Sequence, residues 1–149
     1  MRRASFSGTI AAAIIVSAGV AQAADSRELV KMPAMMQEHM LASMRDHLVA
    51  LDEILAAVSA ENYDQASKVA EERLGMSSFD LHGASHMAPY MPKPMQEAGG
   101  SLHRAASRFA IAAQDADIDR SYASMKTLMG ALSEMTAACN ACHVGYRIR

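Results

Sequence analysis

Cys139-Asn140-Ala141-Cys142-His143, near the C-terminal end of the sequence, sets two cysteines three residues apart with a histidine directly after the second. That spacing is the attachment signature of a c-type haem. Each thiol adds to one vinyl group of the porphyrin, and the two vinyls sit on one edge of the macrocycle. Residues i and i+3 share a helix face, so both sulfurs meet that edge. The next residue, four after the first cysteine, brings the His143 imidazole to the iron as proximal ligand. In this reading Cys139 and Cys142 anchor one covalent haem c and His143 coordinates its iron. Other readings of the five residues fit less well. A redox dithiol belongs beside a βαβ pattern, and no strand-like alternation occurs here. A structural zinc site needs four ligands, and the chain has 2 cysteines in all. A disulfide between them would close a tiny loop and stabilise little.

The N-terminus reads as a secretory signal peptide. Arg2 and Arg3 form its charged region, Ile10 to Val20 its short apolar stretch, and Ala21-Gln22-Ala23 its A-x-A cleavage site. The expected mature chain therefore begins at Ala24, and residues 24–149 form one domain. The apolar run is broken by Ser17 and Gly19, and is short for a membrane span. The formal net charge of −2 becomes −4 once Arg2 and Arg3 are removed. A mildly acidic chain argues against nucleic acid or an anionic membrane surface as the main partner. Both cysteines are used by the haem motif, so no disulfide framework supports the fold, and the apolar faces of a macrocycle would add core. The periplasm is the compartment that suits both export and haem attachment, with no stable membrane insertion after cleavage.

Hydrophobic periodicity places four helices. The first starts at Pro33 and carries Met36, Met40, Met44, Leu48, Leu51, Leu55 and Val58 at helical spacing, ending near Ser59 to Glu61. Residues 24–32 are a short polar lead-in. Asn62 caps a second helix, with Gln65 three residues on. Its stripe is Tyr63, Ala66, Val69, Ala70 and Leu74, and Gly75 is a C′ stop. Residues 76–94 are irregular, because Pro89, Pro92 and Pro94 forbid a long helix. A third helix begins near Pro94 and buries Leu102, Ala106, Phe109, Ala110 and Ala113, with Gly99-Gly100 weakening its first turns. After Asp117 and Asp119, a fourth carries Tyr122, Met125, Leu128, Met129, Leu132 and Met135 into the haem motif. Cys139 lies four after Met135, so the haem shares the core stripe. With no strands, the expected class is all-α, an antiparallel four-helix bundle with the haem on its C-terminal helix.

The haem motif followed by Tyr146-Arg147, CxxCHxxYR on the last helix, resembles the cytochrome c′ family, the class II c-type cytochromes, including their low-spin His/Met members. Class I cytochromes c carry the motif near the N-terminus instead. The resemblance implies a four-helix bundle, a five-coordinate or His/Met haem, and roles in electron transfer or in binding small gases such as nitric oxide and carbon monoxide. It also implies dimers formed through the first two helices. Many members carry an arginine near the start of the first helix, close to a haem propionate; here that region reads Met35-Met36-Gln37-Glu38-His39.

Function turns on the sixth position of the iron. The family places the distal residue on the first helix, which makes Met40 and Met44 the candidates, the alternative being that both are core packing. His39 and His47 flank them and read as surface or capping residues on other faces. Arg147 is placed to pair with a haem propionate, or else is a solvated terminal charge; Arg104 and Arg108 admit the same two readings. Tyr146 reads as packing against the haem. His82 and His86 with Met87, Met91 and Met95, and His103 further on, combine imidazoles and thioethers that suit Cu(I). The same segment also reads as a packed methionine-rich lid. The leading expectation is a periplasmic carrier of single electrons, served by a redox partner protein. The alternatives are a gas-binding cytochrome with a vacant sixth position, or a His/Met copper-binding protein. No HExxH, P-loop or Glu-x-x-His pair supports an enzyme.

Overall fold

The computed structural model describes residues 24–149, and the expected signal peptide, residues 1–23, lies outside the described residues. The described chain is all-α in class. Helix α1 (Ala34–Ser59) follows Pro33, whose fixed φ of −56° is already set for a first turn. It ends in a reversal in which Glu61 N–H donates to the Val58 carbonyl and Asn62 N–H to the Ala57 carbonyl, at 3.0 and 2.9 Å. This is a Schellman stop, with Glu61 holding the left-handed position at φ 57° where glycine is the easier residue. Helix α2 (Tyr63–Val69) starts as expected: the Asn62 side chain accepts from Gln65 N–H at 3.2 Å. It continues into a wider π-type turn, Ala70–Leu74.

Gly75 ends that turn in an extended conformation (φ −77°, ψ −175°), not as a left-handed cap. Its glycine is required for a different reason: a Cβ would lie 2.8 Å from the Glu71 Cα. Arg73 ties the turn back to α1, ion-paired to Asp46 and, at 2.8 Å, to Glu53. Short turns fill residues 76–91, including the four-residue α3 (Ala84–Met87). Helix α4 (Lys93–Ile118) and helix α5 (Tyr122–Gly145) then pack along their length. Ser121 caps α5 by accepting from Ser124 N–H at 3.1 Å.

The α4 face is mostly alanine. Ala105, Ala106, Ala110, Ala112, Ala113 and Ala116 are buried, and so α5 and α2 approach closely around Phe109, Ile54, Leu128 and Met135. A second cluster, separate from this core, gathers Val30, Met32, Met40, Met87 and Met95. Two expected stripes shift. On α1 the buried positions are Met40, Ser43, Ala50, Ile54 and Ala57, while Leu48 and Leu55 are exposed. The cause is that α1 packs on α2 and the π-type turn, and presents Ala50, Ile54 and Ala57 to them. On α5, Tyr122 and Met129 are exposed and Leu128, Leu132 and Met135 carry the packing.

The chain also contains strands, against expectation. β1 (Glu28–Leu29) pairs in parallel with β2 (Tyr146–Arg147), and Val30 N–H extends the ladder to the Arg147 carbonyl at 2.8 Å. The lead-in is therefore not a loose polar segment, since pairing with the chain beyond α5 buries Val30 and Met32. No helix among the described residues is long and apolar enough to cross a membrane.

Two contrasts test this account by urea denaturation. Phe109 is 0% exposed, so Phe109→Ala should cost about 3–5 kcal/mol. Arg108→Ala breaks an ion pair with Glu134 whose side chains are 56% and 60% exposed, and should cost less than about 1 kcal/mol. Glu61→Gly should raise stability by about 1 kcal/mol, because it removes a left-handed side chain.

Candidate functional site

Helix α5 fixes the first part of the site. Cys139 and Cys142 are free thiols, both half-buried. One turn apart, they reach different surroundings: Cys139 packs on the alanine-rich core and Cys142 on the methionine cluster. Between those clusters opens a cavity of about 400 Å³ bounded by α1, residues 74–91, α4 and α5, and His143 lines it. Sites for small molecules and cofactors span roughly 300–1,000 Å³. Burial pushes both thiols above their usual range, and at Cys142 the neighbouring Cys139 adds to the effect. They are therefore thiols rather than thiolates at neutral pH, unlike a nucleophilic or metal-binding cysteine.

The rest of the wall is largely apolar. Helix α1 contributes Met40, Met44 and Leu51, residues 74–91 contribute Phe79, Met87 and Met91, and α4 contributes Met95. Gly99 and Gly100 also line it, and around the position of a Gly99 Cβ nothing lies within 4 Å, so α4 presents bare backbone to the cavity there. Among the described residues no Asp, Glu, Lys or Arg lines the cavity. An apolar, uncharged wall with two thiols and an imidazole on one side fits a covalently held porphyrin.

Both candidate distal methionines reach the cavity. Met40 is 5% exposed and belongs to the methionine cluster, with Met44 packed on its rim. The placement of His47 on another face is corrected. It lines the same cavity, because it stands seven residues, two turns, after Met40. That spacing was the legible signal for it. Its Nε2 lies 3.3 Å from His82 Nδ1, and the His82 and His103 rings lie 5.3 Å apart, centre to centre. His103, 5% exposed, donates from Nδ1 to the Gly75 carbonyl at 3.1 Å and meets Phe79 edge-on at 5.0 Å. His39 is exposed, and its Nε2 donates to the His82 carbonyl at 3.1 Å. The His47, His82 and His103 imidazoles favour their neutral forms. Burial, then the neighbouring His82 and His103, bring His47 down to about 4; Asp46 opposes this and His143 adds slightly to it. Burial is also the main cause of the lowered values of His82 and His103.

The other sequence candidates divide between the cavity wall and the surface. His86 is exposed. Met87, Met91 and Met95 pack with Met40 as an apolar lid, and among the described residues no group of three His, Cys, Asp or Glu side chains is placed to hold a metal ion. Arg147 does not line the cavity; its Nε lies 3.7 Å from an Asp25 oxygen and has no hydrogen-bond partner among the described residues. Arg108 is taken by Glu134, and Arg104 donates to the Ser101 hydroxyl at 3.1 Å. Tyr146 packs in the methionine cluster beside Cys142.

No family model, no curated protein and no solved structure matches this chain.

His47 titrates at 6.5 in an unfolded chain and at about 4 in the fold, so between these values the unfolded state binds more protons. Stability is then full above pH 6.5 and is lost as the pH falls towards 4, with His82 and His103 acting in the same direction. Urea midpoints measured across that window should fall with acid, and the fall should be shallower in His47→Gln.

Proposed function

We propose that this chain is an exported, periplasmic c-type cytochrome of cytochrome c′ type, an antiparallel four-helix bundle that carries one covalent haem and passes single electrons. The observation that carries the reading is the seating of the motif. Cys139 and Cys142 bridge two apolar clusters, and with His143 they edge an uncharged cavity of about 400 Å³. Cys139 and Cys142 would hold the haem by thioethers, and His143 would bind its iron. Bound there, the haem supplies a ferric/ferrous couple.

The chain's own residues set the conditions for that couple. The methionines of α1, the lid and α4 exclude water from the cavity, and a drier surrounding favours the less charged ferrous state. Gly99, with nothing within 4 Å of where a Cβ would stand, would give a flat macrocycle close access to the α4 backbone. Of the cavity lining, the α1 residues Met40, Met44 and His47 would be the ones available to a haem iron held by His143. A filled sixth position makes an electron carrier, and an open one makes a binder of carbon monoxide or nitric oxide. Electrons would pass to a redox partner protein, and pairing into homodimers follows from the same family likeness.

The test is expression with haem-maturation machinery, followed by mass measurement of the denatured chain. The expected result is one haem per chain, a single remaining thioether in Cys139→Ala or Cys142→Ala, and no covalent haem in the double variant. A wild-type chain that stays free of haem while folding normally would overturn the reading.

A further inference from the structure

We propose that His47, steadied by His82, is the second axial ligand of the haem iron, opposite His143. The inference rests on the cytochrome reading and names the ligand of that same site.

Of the α1 side chains that line the cavity, Met40, Met44 and His47 carry a thioether or imidazole able to bind iron, and they differ in what already holds them. Met40 is committed to packing, at 5% exposed among Val30, Met32, Met87 and Met95. Met44 packs on the rim of that cluster, which is what flexible thioethers do when they fill gaps. His47 is the one nitrogen base on the stripe.

The surroundings of His47 match those of a metal-bound histidine. Such a ring characteristically donates its second N–H to a fixed acceptor, which sets the tautomer and the ring plane. His47 Nε2 lies 3.3 Å from His82 Nδ1. With Nε2–H donated there, the lone pair of His47 sits on Nδ1, which is a competent ligand atom. His82 is itself anchored. The His39 Nε2–H donates to its carbonyl at 3.1 Å, and the following Gly83 takes φ +64° with the His39 ring close against it. His103 is the weaker choice, since its Nδ1 is tied to Gly75 and its ring to Phe79.

The experiment is electron paramagnetic resonance and near-infrared magnetic circular dichroism on the ferric holoprotein, with carbon monoxide titration of the ferrous form. Wild type should give a low-spin bis-histidine signature without a methionine-to-iron charge-transfer band. His47→Ala should lose the low-spin signal and gain carbon monoxide binding, while Met40→Leu and Met44→Leu keep the wild-type signature. A methionine charge-transfer band in wild type, a high-spin wild type, or an unchanged spectrum in a folded His47→Ala protein would overturn the assignment. Because wild type alone separates these ligand sets, an unstable His47→Ala does not rescue it. Failure of the cytochrome reading is separately visible, as a chain that attaches no haem at all.

Discussion

One helical turn of α5 has to serve two apolar clusters at once. Cys139 packs on the alanine-rich core and Cys142 on the methionine cluster, and the cavity opens where those surfaces part. The two side chains share a face because they are three residues apart, so neither can be re-aimed without rotating the helix. Rotation would pull Leu128, Leu132 and Met135 out of the core. The register of the site is therefore the register of the core. The alanines of α4 matter for the same reason, since a short side chain at Ala105, Ala106 and Ala113 lets α5 sit close enough to hold that register.

Much of this was legible in the chain and some was not. The Asn62 cap, the α4 stripe and the prolines around residues 89–94 each report local chemistry, and each element lies where that chemistry puts it. The misses are tertiary. Leu48 and Leu55 fit a helical stripe as well as Ala50 and Ile54 do, and only the position of α2 decides which face is covered. The β1–β2 pairing joins residues more than a hundred apart, and a two-residue strand leaves no period to read. Gly75 was seen as a stop, but its need for glycine comes from the Glu71 backbone pressed against it. In the site, Cys139, Cys142, His143, Met40 and Met44 all reach one cavity, whereas Arg147 is drawn off into β2 and towards Asp25. The His47–His82–His103 grouping needed three elements to converge, so spacing along the chain could show only the His47 share of it.

The N-terminal lead-in acquires a role from the same pairing. Val30 and Met32 are buried walls of the methionine cluster, and the ladder from Glu28 to Val30 holds them against the chain just beyond the haem motif. Under the proposed export, the first residues after cleavage thus back the methionine cluster that packs on Cys142, without lining the cavity themselves.

The cavity wall carries no formal charge beyond what its histidines can take up, and four of the chain's six histidines line it. His47, His82 and His103 stand close enough that a proton on one raises the cost of a proton on the next, and burial raises that cost for all three. A wall built from carboxylates or lysines would impose a fixed charge on whatever the cavity holds. Crowded imidazoles do not: at neutral pH they offer lone pairs and N–H groups in a low-dielectric surrounding and leave the net charge near zero. For the haem proposed here, whose working change would be one electron, that arrangement would leave the axial ligands and the methionine wall as the terms that set the potential. The imidazole cluster and the methionine cluster are then two parts of one device, the first supplying polarity without charge and the second excluding the water that would screen it.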